Sequence, residues 1–355
     1  MVVKTPNGPL NPRVAVIGAG ISGLIGARTL VDLGFEVTVF EKSRGLGGRT
    51  ATRRADPALS FDHGAQYFTA RDPHFVQQVE TWIARGIVAE WTGRIVTIEG
   101  AMAWPKIEQP RRYVGVPGMT AIAQHLAAAL HICRDTRIVR LDHVDQAWQV
   151  MDAIGQEHGP YSHVIVSLPS PQAADLLFDH AFAAETRAIP MTPCWAVMAA
   201  FERRIEAAWD GAFVHGCPLA WVARNSSKPG RDCSNDCWVL HASPDWSAAH
   251  LDDDRDSVKA TLLSTFAEIT AAPALNPVHL DAHRWLYSAT PLLLDRLVLT
   301  DHDAGLIVCG DWLAGGRVEG AFHSGVAAAD CVLRHIGIPS EKQLPLRNTV
   351  QDDGS

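Results

Sequence analysis

The sequence predicts an α/β protein, with a parallel-sheet domain built from separate segments of the chain and a mixed-sheet α+β domain inserted between them. Three observations carry this. The chain opens on "VAVIGAGISGLIGARTL" (Val14–Leu30), which reads as a buried strand, a glycine-rich turn and a helix. It closes on "VCGDWLAGGRVEGAFHSGVAAA" (Val308–Ala329), a second strand, glycine turn and helix. Between them lies a long stretch of Trp-rich strands and separate helices whose texture matches neither end. At 355 residues the chain is long enough for two domains.

The elements follow in order. Residues 1–12 carry three prolines and read as a flexible tail. Val14–Ile17 is a short apolar strand; Ile21, Leu24, Ile25 and Leu30 recur at helical spacing, with Gly34 placed to cap the helix. "FEVTVFE" alternates Phe35, Val37 and Val39 as a second strand. Phe75–Arg85 reads as an amphipathic helix, and two Trp-containing strands are expected between Val88 and Trp104. Thr120–Leu130 is a further helix, "TRIVRLDHV" and "AWQVMDAIG" a hairpin, and "YSHVIVSLPSP" a buried strand ended by prolines. Strands are then expected at "CWAVMAAFE", "LAWVARNSSKPGR", "CWVLHASPDW" and "PVHLDAHRWLYS", with a helix over Asp254–Thr270. This places the first domain at 13–70, 113–169 and 300–336, the inserted one at 71–112 and 170–299, and a second flexible tail at 339–355.

Composition excludes several classes of function. Hydrophobic residues make up 47% and charged residues 20%, ordinary for a chain that buries a core. A net charge of −8 argues against general binding to nucleic acid or an anionic membrane, which needs clustered positive charge. The seven cysteines form no CxxC pair, so neither zinc nor any other metal is expected, and reduced thiols suit a cytoplasm. The N-terminus has no apolar signal region and no run is long enough to span a bilayer. A soluble cytoplasmic protein with no obligatory protein partner is expected.

The first turn is specific in its chemistry. "GAGISG" sets Gly18, Gly20 and Gly23 in GxGxxG register between strand and helix, a Rossmann-type turn. The first glycine permits the tight turn, the second lets the backbone approach a diphosphate, and the third lets helix pack on strand. The amides of Ile21 and Ser22 then open a helix whose N-terminus faces the phosphates. Glu41 ends the second strand, 18 residues after Gly23, where a carboxylate accepts bonds from ribose hydroxyls, with Lys42 beside it. The next residues, "EKSRGLGGRT", add a glycine pair, Gly47–Gly48, and the guanidinium of Arg49. NAD-dependent dehydrogenases do not usually need that element.

The GGR element after the ribose-binding Glu resembles the flavin-containing amine oxidase superfamily. The resemblance implies an amine oxidase/p-hydroxybenzoate hydroxylase-like fold and FAD, with Arg49 near its diphosphate. It also explains the second glycine turn: Asp311 would bond the ribityl chain or phosphate side of FAD, and the helix opening near Arg317 and Val318 would aim its positive end at the flavin ring. Gly64, Ala65, Gln66 and Ile138 complete the implied FAD contacts. Cys309 reads as a core residue, so the FAD is expected to be non-covalent.

"FDHGAQYFTARDPHF" (Phe61–Phe75), "VGVPGM", "LAWVARNSSKPGR", "AHRWLY" and "GDWLAGGRVEGA" together look like the bacterial renalases, over about residues 14–335. That resemblance implies oxidation of the 2- and 6-dihydro isomers of NAD(P)H, as metabolite repair. Hydride would pass to flavin N5, and dioxygen would reoxidise the flavin to give NAD(P)⁺ and hydrogen peroxide. A dihydropyridine expels hydride with gain of aromaticity, so positioning suffices and no catalytic side chain is expected. The alternatives are a flavin amine or other small-molecule oxidoreductase of the same superfamily, or a non-catalytic FAD-bound sensor. The chain has six lysines and none between Lys259 and Lys342, the late strand where an amine-oxidising lysine is sought.

Candidate substrate contacts are Gln66, Tyr67, Phe68, Arg71 and Trp285. Tyr67 either borders the substrate ring or packs in the core; Arg71 either meets a substrate phosphate or pairs with Asp72; Trp285 either walls the pocket or is core. His241, His283, Arg224 and Asn225 read more readily as structural. Arg111 and Arg112 either attract an anionic dinucleotide or, more readily, are solvated surface arginines, and Asp252–Asp254 reads as the charged start of a helix.

Overall fold

The computed structural model describes residues 12–56, 59–100, 102–105, 110–272, 274–292 and 294–338. The tails expected at 1–12 and 339–355 lie outside them, apart from Pro12. The central sheet has six strands in the order Val298–Asp301, Leu306–Cys309, His163–Val166, Arg13–Ile17, Glu36–Phe40 and His131–Cys133. All neighbours run parallel except the antiparallel edge pair of Val298–Asp301 with Leu306–Cys309. The strands of the opening and closing glycine turns thus lie in one sheet. Val14, Val16, Val164, Ile165 and Val308 are fully buried, as inner strands covered on both faces must be.

The opening helix, Ile21–Asp32, and the closing helix, Val318–His335, pack on one another across this sheet. Their crossing is close because it is made of glycines. A Cβ on Gly325 would lie 2.4 Å from the Ser22 carbonyl oxygen, and one on Gly26 would lie 3.2 Å from that of Gly325.

The second sheet has seven strands: His279–Ala289, Thr192–Phe201, Asp236–Ala242, Leu219–Arg224, Gly211–His215, Ile95–Glu99 and Met102–Pro105. It is mixed, because Ile95–Glu99 runs parallel to Gly211–His215. The helix Arg255–Thr270, capped by the Asp254 carboxylate, covers it with Val258, Leu262 and Phe266 against Phe201 and Trp238.

Four features differ from expectation. The stretch 88–105 forms three short strands rather than two, and Val88–Glu90 pairs instead with Tyr113–Gly115. The helix at Thr120 stops at Leu126, and Ala129, at φ 60°, turns the chain away. Short helices at Ser170–Leu176, Phe182–Arg187 and Pro244–Ala249 were not foreseen, since each is too brief to show a period. Ala173, Leu176 and Ile189 pack with Ile17 and Phe40, so the helices at 170–187 sit on the parallel sheet rather than with the inserted strands.

Candidate functional site

Gly18 turns at φ +106°, and a Cβ there would lie 2.4 Å from the Ser167 carbonyl oxygen. A Cβ on Gly23 would lie 2.2 Å from the Gly18 carbonyl oxygen. Only hydrogen fits at either position. Gly20 differs: its would-be Cβ meets nothing within 4 Å, and the residue lines a cavity of about 1150 Å³. The opening helix has no side-chain cap, so its first amides are left for a ligand.

Glu41 directly follows the second strand, which ends at Phe40, and has 8% of its surface exposed. Its Oε2 accepts from the Ala19 amide at 2.8 Å and its Oε1 from the Ser43 amide at 2.9 Å. The carboxylate is fixed, with lone pairs left for hydroxyl donors. The GGR element is stitched to the same corner, the Gly47 amide donating to the Ala19 carbonyl at 2.9 Å. The Arg49 carbonyl in turn accepts from the Ala65 amide at 2.8 Å, which lays Gly64 and Ala65 along the cavity.

At the second corner, Gly315 and Gly316 have φ of +84° and +69° before the closing helix begins at Val318. Arg49 and Asp311 meet there: the guanidinium contacts Oδ1 at 2.5 Å and Oδ2 at 3.1 Å, and donates to the Ser288 carbonyl at 3.1 Å. The two charges expected to serve a cofactor separately therefore hold each other and join the corners. Cys309 is fully buried, and burial pushes its thiol up to about 12.

The far end of the cavity is aromatic. Tyr67 lies 5.4 Å from Trp221 and Trp221 lies 4.7 Å from Phe213, by ring centroids. The Trp285 indole donates to the His63 carbonyl at 2.9 Å. His241 and His283 also line this end. Burial, with Lys228 near His241 and Arg53 near His283, lowers both imidazoles to about 4, so they are neutral at physiological pH.

Every candidate substrate contact and every candidate cofactor contact except Gly23 lines this one cavity. Gly23 is the packing glycine. Arg71 does not pair with Asp72, whose carboxylate caps the helix Pro73–Ala84 through the His74 and Phe75 amides. Arg111 and Arg112, both expected in solvent, part ways because neighbours on an extended chain face opposite sides. Arg111 is exposed and pairs with Glu90 at 2.6 Å. Arg112 is buried and lines the cavity, its guanidinium 5.2 Å above the Tyr67 ring.

A model of the NAD(P)-binding Rossmann-like domain matches residues 16–81, and the flavin containing amine oxidoreductase model matches residues 98–333. The chain belongs to the flavin containing amine oxidoreductase family. A tryptophan 2-monooxygenase of Pantoea agglomerans pv. gypsophilae is 29% identical over 180 residues, covering 45% of this chain and 32% of that protein. A shorter match of 70 residues, 41% identical, to the tryptophan 2-monooxygenase of Allorhizobium ampelinum covers 19% of this chain and only 10% of that protein. Among solved structures, cyclohexylamine oxidase from Brevibacterium oxydans IH-35A superposes with a TM-score of 0.72 at 12% identity, over 92% of this chain and 99% of that one. At such identity the likeness shows the fold.

Membership of this flavin containing family implies a flavin, and the residues present fit one. The uncapped helix start, the open face of Gly20 and the fixed Glu41 carboxylate are the donor and acceptor set a dinucleotide needs. The cavity exceeds the roughly 300–1,000 Å³ of common ligand pockets, leaving room for a second molecule.

The protein also holds a charge cluster that sequence reasoning missed. Asp62, fully buried, contacts Arg231 at 2.5 Å and Lys228 at 3.2 Å and accepts from the Met119 amide at 2.9 Å. Burial opposes ionisation, but the two cations and the amide outweigh it and hold the carboxyl at about 2. Lys228 is brought down to about 8, chiefly by burial and despite Asp62. Its ammonium donates to Gln66 Oε1 at 3.1 Å, so it fixes the cavity wall from behind. A buried lysine does stand near the cavity, though not on the late strand where one was sought. The local signal was "SFDHGA", an acid at the end of a short strand, directly before the residues that lead to Gly64 and Ala65. Asn225 belongs to this cluster, whereas Arg224 is structural, paired with Asp236 at 3.0 Å beneath Trp238.

Proposed function

We propose that the protein is an FAD-dependent oxidase of the 2- and 6-dihydro isomers of NAD(P)H, acting in the cytoplasm as metabolite repair. The observation that carries this is the charge of the cavity. Its described lining residues include seven cationic side chains and three carboxylates, Glu41, Asp175 and Asp311. Asp311 is held by Arg49 and Glu41 by two amides. An ammonium substrate would meet an excess of like charge, whereas an anionic dinucleotide is favoured.

The chain's residues bind and orient. Tyr67, Phe213 and Trp221 offer flat apolar faces to a nicotinamide-sized ring. Neutral His241 and His283 add no further charge to that end beside the Arg112 guanidinium over the Tyr67 ring. Lys228 and the carbonyl oxygens of Asp62 and Gly64 hold the Gln66 amide still. A non-covalently bound FAD would supply the two-electron acceptor, with dioxygen as the final oxidant. The balance is dihydroNAD(P) + O₂ + H⁺ → NAD(P)⁺ + H₂O₂. No side chain is asked to act as base or nucleophile, because aromatisation of the ring drives hydride out.

The test is anaerobic mixing of the yellow protein with each isomer, with NADH and simple amines as controls, followed by flavin absorbance. Bleaching by the isomers, reversed by air with peroxide release, is the expected result. Bleaching by an amine alone would place the protein with the amine-oxidising members of its family. Acid precipitation is expected to leave the yellow colour in the supernatant.

A further inference from the structure

The segment after Tyr67 runs to Arg71 and docks on the start of the closing helix. Glu319 Oε1 accepts from the Arg71 amide at 2.8 Å and from the Asp72 amide at 2.7 Å. Arg317, the residue that caps this helix by position, stands two residues before Glu319. The contact therefore brings the chain at Arg71 to the chain at Arg317. Both side chains are exposed, and both line the cavity.

Glu319 and Asp72 are the acids beside them in the chain, and each carboxylate is held by backbone amides rather than by an arginine. Glu319 is taken by the two amides just named. Asp72 caps the helix Pro73–Ala84 through the His74 amide at 2.9 Å and the Phe75 amide at 3.3 Å, with His74 and His323 facing its Oδ1 at 3.3 and 3.7 Å. Among the described residues, neither Arg71 nor Arg317 has an ion-pair partner. The protein as a whole carries −8, and two guanidinium groups at one mouth with no ion-pair partner are donors left for an anion.

The cofactor's diphosphate does not account for the pair, although the resemblance also implied a flavin contact at Arg317. The diphosphate of a dinucleotide is served at the opposite corner by the opening helix, and the cation nearest the second corner, Arg49, is already held by Asp311.

We propose that Arg71 and Arg317 form a phosphate-binding mouth that takes the diphosphate of the substrate and leaves its nicotinamide end to reach the aromatic wall. This rests on the dihydronicotinamide dinucleotide reading of the reaction. It makes the enzyme selective for phosphorylated nicotinamides over the bare riboside.

The holoenzyme, R71Q, R317Q and the double variant are titrated by calorimetry with inorganic pyrophosphate, NAD⁺ and oxidised nicotinamide riboside, and flavin content is checked in each. Each single change is expected to weaken pyrophosphate and NAD⁺ by about tenfold, the worth of one charge-assisted contact. Riboside binding is expected to be unchanged. KM for the dihydro dinucleotide should rise with kcat constant, and the salt dependence of kcat/KM should flatten in the double variant. Equal binding of pyrophosphate to wild type and double variant would overturn the proposal whatever the substrate is. Equal weakening of NAD⁺ and riboside would overturn it too. Failure of the reaction reading shows separately, as a flavin that no dihydronicotinamide bleaches, the riboside form included.

Discussion

The molecule has two strand–glycine–helix corners, and they are built differently. The first, Gly18–Gly23, is held mostly by backbone, with one nearby side chain, the Glu41 carboxylate, accepting from the Ala19 amide: Gly18 and Gly23 are spaces that a methyl group would fill with a clash, and the ligand-facing Gly20 is open. The second, Gly310–Gly320, is held by side chains as well. Arg49 reaches across to Asp311, and the Ser324 hydroxyl accepts from the Gly310 amide at 2.8 Å while donating to the Leu297 carbonyl at 2.6 Å. A diphosphate site can be made of amides, so its corner can be preformed by local geometry. A corner that faces a ring and a substrate needs charges placed from elsewhere in the chain.

The largest effect tests what joins the corners. The segment at Asp62 leads to Gly64 and Ala65, which pair with Arg49. Asp62→Ala leaves Lys228 and Arg231 buried without a counter-charge, and about 3–5 kcal/mol of stability should be lost. Both corners should fail together, read as loss of soluble protein or of the cooperative melt; a stable D62A variant would show that the strut is dispensable.

Within the first corner, Gly23→Ala and Gly20→Ala should separate packing from binding. The methyl of G23A would sit against the Gly18 carbonyl, costing about 3 kcal/mol, the upper end for overfilling a packed contact. G20A should melt like wild type as apoprotein yet lose most of its flavin, since its methyl enters only the cavity. Similar melting of the two variants would erase the distinction.

Asp311→Ala should loosen the second corner alone. Its partner Arg49 is partly exposed, so the stability cost is about 1 kcal/mol after solvent screening. ADP binding to the apoprotein should be unchanged while flavin affinity falls, and a parallel fall in both would tie the corners more tightly than drawn here.

The smallest effect is with pH. His63, His241 and His283 are lowered to about 3, 4 and 4, first by burial. As pH falls from about 6.5 toward 4, the unfolded chain takes up protons on these groups that the folded chain does not. Stability should therefore decline over that window, and His283→Gln should flatten the decline in thermal melts.

Both corners were legible in the sequence because a glycine requirement is local: strand, turn and helix lie within about 20 residues, and each glycine answers to its own φ or its own neighbours. The aromatic end was legible only as residue types. What joins the parts was not. Asp62 meets Lys228 and Arg231 across 166 and 169 residues, and Arg49 meets Asp311 across 262, distances at which no periodicity survives. Arg112 was misread for the same reason, since its burial is decided by Tyr67 on another segment. The parallel pairing of Ile95–Glu99 with Gly211–His215 was equally hidden, the two strands being more than 100 residues apart.

The glycine crossing of Gly26 against Gly325 also sets a timetable. The first helix leaves the ribosome early, but the surface it packs on is made only when the last helix emerges, some 300 residues later. The nucleotide-binding sheet must likewise wait for Leu306–Cys309 to take its place beside His163–Val166. During synthesis the inserted sheet has all its strands before the sheet that encloses it can close, so the inner unit is free to fold first and the flavin site is complete only once the closing helix has emerged. A nascent chain halted before the closing helix should therefore be colourless, however much of its middle has already folded.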